Sequence, residues 1–183
     1  MKALKLVAVL GVFALALCQQ VGAESSLESY IEKTDPLLIQ FKRALTTFVE
    51  EIKPLREASD IVGIKALADK NVKEFESLLV ELDGVEPPAV AQSYHRAFRR
   101  LLEVRRDNDK LIAETLAQQI ALILKVQKLK ESGASEQEVD AYIQQHRYDS
   151  EAFGIKAKAL KDEAAAADRA LKAEREKFVE QSE

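Results

Sequence analysis

The stretch Pro87–Glu131, PPAVAQSYHRAFRRLLEVRRDNDKLIAETLAQQIALILKVQKLKE, decides the fold. It opens on a double proline and is followed by Ser132-Gly133, a helix stop. Pro88 disfavours helical geometry at the residue before it and suits a first helical turn, so Pro87 is expected as the cap. Tyr94, Phe98, Leu101, Arg105, Asn108, Ile112, Leu116, Gln119, Ile123 and Val126 then recur at spacings of three and four. That is one face of a single helix, ~66 Å long at 1.5 Å per residue.

The segments on either side read as helices cut to pack against this one. After it, Ser135-Glu136-Gln137-Glu138 has capping-box form and starts a helix expected to run to about Val179. Val139, Ile143, His146, Ser150, Phe153, Ala157, Leu160, Ala164, Ala167, Leu171 and Phe178 make its seam, close to a heptad repeat. His146, lying on that seam, is expected to be a hydrogen-bonded core residue, and His95 a surface or rim group. Folding this helix back on the central one brings Arg105 near Asp162, and Phe98 and Leu101 near Ala164 to Arg169, where small alanines let the helices approach.

Before the central stretch, Ser25-Ser26-Leu27-Glu28 is a second capping box and opens a short helix. Thr34-Asp35-Pro36 is expected to restart it, with Phe41, Leu45, Phe48, Ile52 and Leu55 on the buried face. Pro54 should kink or end that run. Ser59-Asp60 opens the next helix, whose face is Ile64, Ala68, Val72, Phe75, Leu79 and Leu82, and Asp83-Gly84 closes it. Residues 36–57 and 60–82 are therefore an antiparallel hairpin. The expected architecture is all-α: an antiparallel bundle of about four main helices with a long coiled-coil-like central hairpin. Residues 24–82 hold the first hairpin and 88–181 the long one, in a single domain over 24–183.

Composition agrees with that class. The chain has 183 residues, 47% hydrophobic and 32% charged, with no Trp. Ala, Leu, Glu, Lys and Arg, which lose least in a helix, are abundant. Residues 1–23 read as a secretory signal: a basic start at Lys2 and Lys5, an apolar run over Leu6–Leu17, and small residues before cleavage at Ala23. The mature protein is then exported and soluble, in a bacterial periplasm or cell envelope. Leu15-Ala16-Leu17-Cys18 partly resembles the lipobox of bacterial lipoproteins, but Leu17 stands where that family has Gly, Ala or Ser, so lipid anchoring at Cys18 is the lesser alternative. Removing Lys2 and Lys5 takes the basic count from 27 to 25 against 31 acids, a net charge of −6, which argues against nucleic acid as a partner.

No catalytic constellation can be assembled from these residues. Neither Glu-x-x-His nor Cys-x-x-Cys-His occurs, there is no Gly-x-Ser-x-Gly, and Met1 is the only methionine. The protein is expected to be no enzyme, with no catalytic, metal or cofactor-binding residue.

Two surface features remain. Arg96, Arg99, Arg100, Arg105, Arg106 and Lys110 form a basic zone, either paired with acids such as Glu74, Glu76 and Glu81 or serving an anionic lipid or polyanion. In the anion-binding alternative the ligands are Arg96, Arg99, Arg100, Arg106 and Lys110. The other feature is the turn-side half of the long hairpin, which is apolar over more of its circumference than one neighbour covers. Two outcomes are open: the long helices break near 107–109 and Ser150 into a compact bundle, or the tip binds another protein or a second copy. Ile112, Leu116, Ile120, Ile123, Leu124, Tyr142 and Phe153 are the candidate partner-binding residues.

Leu82-Asp83-Gly84-Val85-Glu86-Pro87-Pro88, followed by Tyr94-His95, resembles small exported bacterial helical proteins of unassigned function, in which a Pro-Pro turn opens a helix bearing a histidine. The resemblance covers about a fifth of the chain and implies an envelope setting, with no activity or site. The amphipathic helices are also similar to those of exchangeable apolipoproteins, which implies lipid as the alternative partner.

Overall fold

The computed structural model describes the backbone of residues 2–146 and 149–182, and the side chains of 27–146 and 149–177. The signal segment's side chains, with Cys18 and Ala23, and that of Phe178 lie outside them. Among the described residues the elements are helices α1 (Lys2–Glu57), α2 (Ile61–Asp83), α3 (Gln92–Glu131), α4 (Glu136–His146) and α5 (Ser150–Ser182), with a 3₁₀ turn at Ala89–Ala91. The fold is an all-α antiparallel bundle in which α3 packs on both α2 and α5, and α2 on α1.

Local chemistry accounts for most boundaries. Glu57 ends α1 one turn after Pro54, and Ser59 turns the chain with a left-handed φ of 54°. Asp60 then caps α2 by accepting from the Gly63 amide at 2.8 Å. A Cβ on residue 63 would press on the Asp60 carboxylate and the end of Leu55, so glycine leaves the capping carboxylate in place. Gly133 carries a φ of 81° after α3, as a helix stop should. Ser135 and Glu138 form the expected reciprocal capping box: the Ser135 amide donates to Glu138 Oε2 at 2.8 Å, and the Glu138 amide to Ser135 Oγ at 3.3 Å.

Three expectations are corrected, and one open alternative is decided. α1 does not stop and restart at Thr34-Asp35-Pro36; it passes through unbroken. Tyr30, Thr34, Leu37, Leu38 and Phe41 all lie buried along one face, while Pro36 points to solvent. Burying that continuous face outweighs the backbone bond that Pro36 removes. The Thr34 hydroxyl also donates to the Tyr30 carbonyl at 3.0 Å. At the double proline, Pro88 is extended (φ −63°, ψ 161°) and caps the 3₁₀ turn, so α3 begins only at Gln92. The α3 helix is continuous through 107–109, where a break was one of the alternatives. The long return helix is instead divided between α4 and α5, with Asp149 capping the second by accepting from the Ala152 amide at 2.9 Å.

The core is an aromatic and leucine cluster at the closed end of the bundle. Phe41 lies 5.8 Å from Phe75 and 6.1 Å from Phe98, centroid to centroid, and Tyr94 packs on the same group. Leu78, Leu82, Leu101 and Leu102 close around them, and Ala167 and Leu171 of α5 complete the cluster. The alanine-bearing part of α5 does reach Phe98 and Leu101, as the antiparallel register requires. The Arg100–Glu163 ion pair joins α3 to α5 in the same region.

Candidate interaction surface

Three local environments bear on function: the arginine zone, a polar layer inside the bundle, and the tip. The arginine zone is internally compensated. Arg99 donates to Asp83 at 2.8 Å and pairs with Glu103, Arg100 pairs with Glu103 and Glu163, and Arg106 pairs with Asp107 at 2.7 Å. Arg96 donates to the Gln92 carbonyl at 3.3 Å, and Lys110 is exposed. These acids take the place of Glu74, Glu76 and Glu81, because the α3–α5 contact turns the arginines toward α5 and the end of α2. Acid neighbours hold the Arg99 and Arg100 guanidinium groups further into their charged form, Asp83 acting chiefly on the first and Glu163 on the second.

One turn below the aromatic core, Asn71 and Asp109 meet in the interior, at 4% and 5% exposure. Asn71 Nδ2 donates to Asp109 Oδ2 at 2.6 Å, and Asn108 Nδ2 to Asp109 Oδ1 at 3.2 Å. Burial pushes the Asp109 carboxyl above its ordinary value, against those two bonds and the nearby Arg105 charge. Arg105 has an electrostatic partner in Asp109, one turn along the same helix. Its buried Nε finds no hydrogen-bond partner among the described residues. The sequence carried a signal here: Asn71 stands three residues after Ala68 and four before Phe75, on the buried face of α2.

Of the two histidines, His95 lies at the rim as expected and His146 does not lie in the core. His95 is half-buried and hydrogen-bonded to the Tyr30 hydroxyl through Nδ1 at 3.2 Å, and burial lowers its pKa. Burial raises the Tyr30 phenol. His146 is exposed at the end of α4 rather than in the core; its Nδ1 lies 3.0 Å from the Tyr142 carbonyl, and its ring stacks on Tyr142 at 4.0 Å. The seam loses it because α4 stops there.

At the tip, large apolar side chains stay only partly covered. Ile112, Leu116, Ile120, Tyr142 and Phe153 are half-buried, whereas Ile123 and Leu124 keep 54% and 53% of their surface. In this half of the bundle burial falls to Ala113, Thr115 and Val139. The seven candidate residues do not form one patch. Ile123 lines a groove of about 480 Å³ between α3 and α4, with Leu122, Val126 and Ile143. Gln127, Lys130 and Glu131 form its polar edge. Phe153 lines a second, smaller groove with Leu111, Thr115 and Asp149. Tyr142 lies on the flank of α4 about 100° round from Ile143. Ile143 and Gln127 were not among the candidates, although Ile143, four residues after Val139, carries the period that places it here.

No group of three or more His, Cys, Asp or Glu is gathered in a metal-holding arrangement among the described residues, and no helix among them is long and apolar enough to cross a membrane. No protein-family model, curated protein or solved structure matches the chain.

Proposed function

We propose that this protein is an exported, non-enzymatic component of the bacterial cell envelope that works by helix-surface recognition of protein through its tip. Ile123 and Leu124 carry the reading. They lie more than half exposed, and Ile123 lines an apolar groove between α3 and α4 that Leu122, Val126 and Ile143 share. Apolar surface concentrated in this way lowers its free energy by meeting another apolar surface. The export part rests on the basic start, apolar run and small residues of positions 1–23, and predicts a mature chain beginning at Glu24.

The lipid or polyanion alternative has less support. It needs free cations, and Arg99, Arg100 and Arg106 each have an acid partner. A photo-crosslinking residue placed at 123 and, as control, at the exposed Val80 tests the reading in the cells that make the protein. A discrete adduct from 123 and none from 80 is expected. The absence of any adduct from 123 refutes it.

A further inference from the structure

We infer that residues 27–35 of α1 form an acid-released flap, latched to α3 by the hydrogen bond between Tyr30 and His95 and hinged at Pro36. The inference goes beyond the tip and is independent of it.

The hinge follows from the chemistry of proline. Pro36 has no amide hydrogen, so the Glu32 carbonyl, four residues back, receives no helical bond. A helix parts most easily where a rung is missing. On the C-terminal side of the gap α1 is held firmly, because Leu37, Leu38, Phe41 and Ala44 all belong to the core. On the N-terminal side the anchorage is thinner. Over residues 27–35 only Tyr30 and Thr34 are buried, with Leu27, Ile31 and Asp35 half-buried, and the Thr34 hydroxyl is turned to the Tyr30 carbonyl of its own helix. Asp35 reaches Arg175 of α5 at 3.7 Å, but both side chains are close to half exposed, so that pair holds weakly. Among the described residues Tyr30 is the main tie. Its ring stands edge-on to Tyr94 at 6.3 Å, and its hydroxyl meets His95 Nδ1 at 3.2 Å.

The latch depends on a proton. Burial holds the Tyr30 phenol in its protonated form, so the hydroxyl donates and the neutral imidazole accepts at Nδ1. A proton on Nδ1 takes up that lone pair and sets two donors face to face. Tyr30 keeps only 2% of its surface, so little water reaches the hydroxyl to replace the ring. The charged groups around His95 do not offset this. Burial, the largest influence, opposes the imidazolium; Asp83 at the end of α2 favours it and Arg99 on α3 opposes it, which leaves His95 below its ordinary value. Glu86 and Arg96 share a cleft with His95 and are of opposite sign. Arg175 of α5 is answered by Asp35. Acid therefore loosens Tyr30 from α3, and the flap turns about Pro36 to uncover Tyr94.

Hydrogen exchange of the full processed chain, followed residue by residue from neutral to mildly acid pH and corrected for the pH dependence of free amides, tests this. In acid the amides of Ile31 to Asp35 should lose about fivefold in protection, the factor that one neutral hydrogen bond represents, while those of Phe41 to Leu45 and of α2 keep theirs. The midpoint should coincide with the titration of the His95 ring followed by NMR. Tyr30→Phe should lower the protection of the same amides at neutral pH by a similar factor and abolish the step. His95→Asn, which places an uncharged acceptor near the position of Nδ1, should keep the flap closed throughout. A wild type without a step overturns the inference, as does a step displaced from the His95 titration or one that His95→Asn retains. A step shared by the α2 amides is acid unfolding of the whole bundle and also overturns it. Where either variant fails to fold, the coincidence of the wild-type step with the His95 titration decides alone.

Discussion

Replacing Asn71 by Ala removes the donor that holds a carboxylate inside the bundle. The two side chains meet at 2.6 Å and are almost fully covered, so water cannot replace the lost bond. A hydrogen bond to a charged group contributes ~1.5–3 kcal/mol. Asn108 still donates to the other oxygen of Asp109, and Arg105 still faces it, which sets the loss at about 2 kcal/mol. At about 2–4 °C per kcal/mol for a chain of this size, the melting temperature should fall by about 4–8 °C. Urea unfolding followed by circular dichroism, with an unchanged slope, measures the free energy directly.

The pH dependence has a defined sign. Burial raises the Asp109 pKa in the folded state, so the folded chain keeps this proton to higher pH than the unfolded chain. Its contribution to wild-type stability is therefore greatest below the unfolded carboxylate value. It declines as pH rises from there through the folded pKa, then levels. In acid the bond to Asn71 joins two neutral groups and contributes ~1 kcal/mol, so Asn71→Ala should cost about half as much there. Asp109→Asn should remove the decline altogether. A cost under ~0.5 kcal/mol on the alkaline side of that window, or the same cost on both sides, refutes this account of the polar layer.

Pro36→Ala should stabilise the protein by about 2 kcal/mol, since it restores a bond inside α1 and Pro36 packs against nothing in the core; a lower urea midpoint would contradict the reading of α1 as continuous. Phe98→Ala should cost about 3–5 kcal/mol, because Phe98 is fully buried and touches both Phe41 and Tyr94, whereas a cost below ~2 kcal/mol would show that the core lies elsewhere. Hydrogen bonds from Ser135 hold the Glu138 carboxyl below its ordinary value. The capping box is thus complete above the unfolded carboxylate value and is lost as pH falls through the depressed folded one. Hydrogen exchange should show α4 amides losing protection over that window in the wild type and not in Glu138→Gln, and α4 amides insensitive to both would refute the role of the cap.

Much of the helix inventory is legible without coordinates because caps and stops act within a few residues. Asp60, Gly133 and the Ser135–Glu138 pair each mark a helix boundary that the structure contains. The apolar excess after residue 111 is legible for a similar reason, since the circumference of a helix limits what one neighbour covers. Ser150 was named as a candidate break in the return helix, and the division falls beside it, at Asp149.

The remainder depends on which helix faces which, and at what height. Pro36 reads locally as a restart, yet the burial of Tyr30, Leu37, Leu38 and Phe41 against α2 and α3 carries α1 through it. Asn71 and Asp109 lie 38 residues apart and become partners only when α2 and α3 take their register. The arginine zone reads as basic, and only the approach of Asp83 and Glu163 neutralises it. The apolar tip follows the same division. Its existence is a matter of helical period, which the sequence alone determines, but its exposed face is set by the height at which α2 ends. That height is a packing distance between elements far apart in the chain, and no local pattern encodes it.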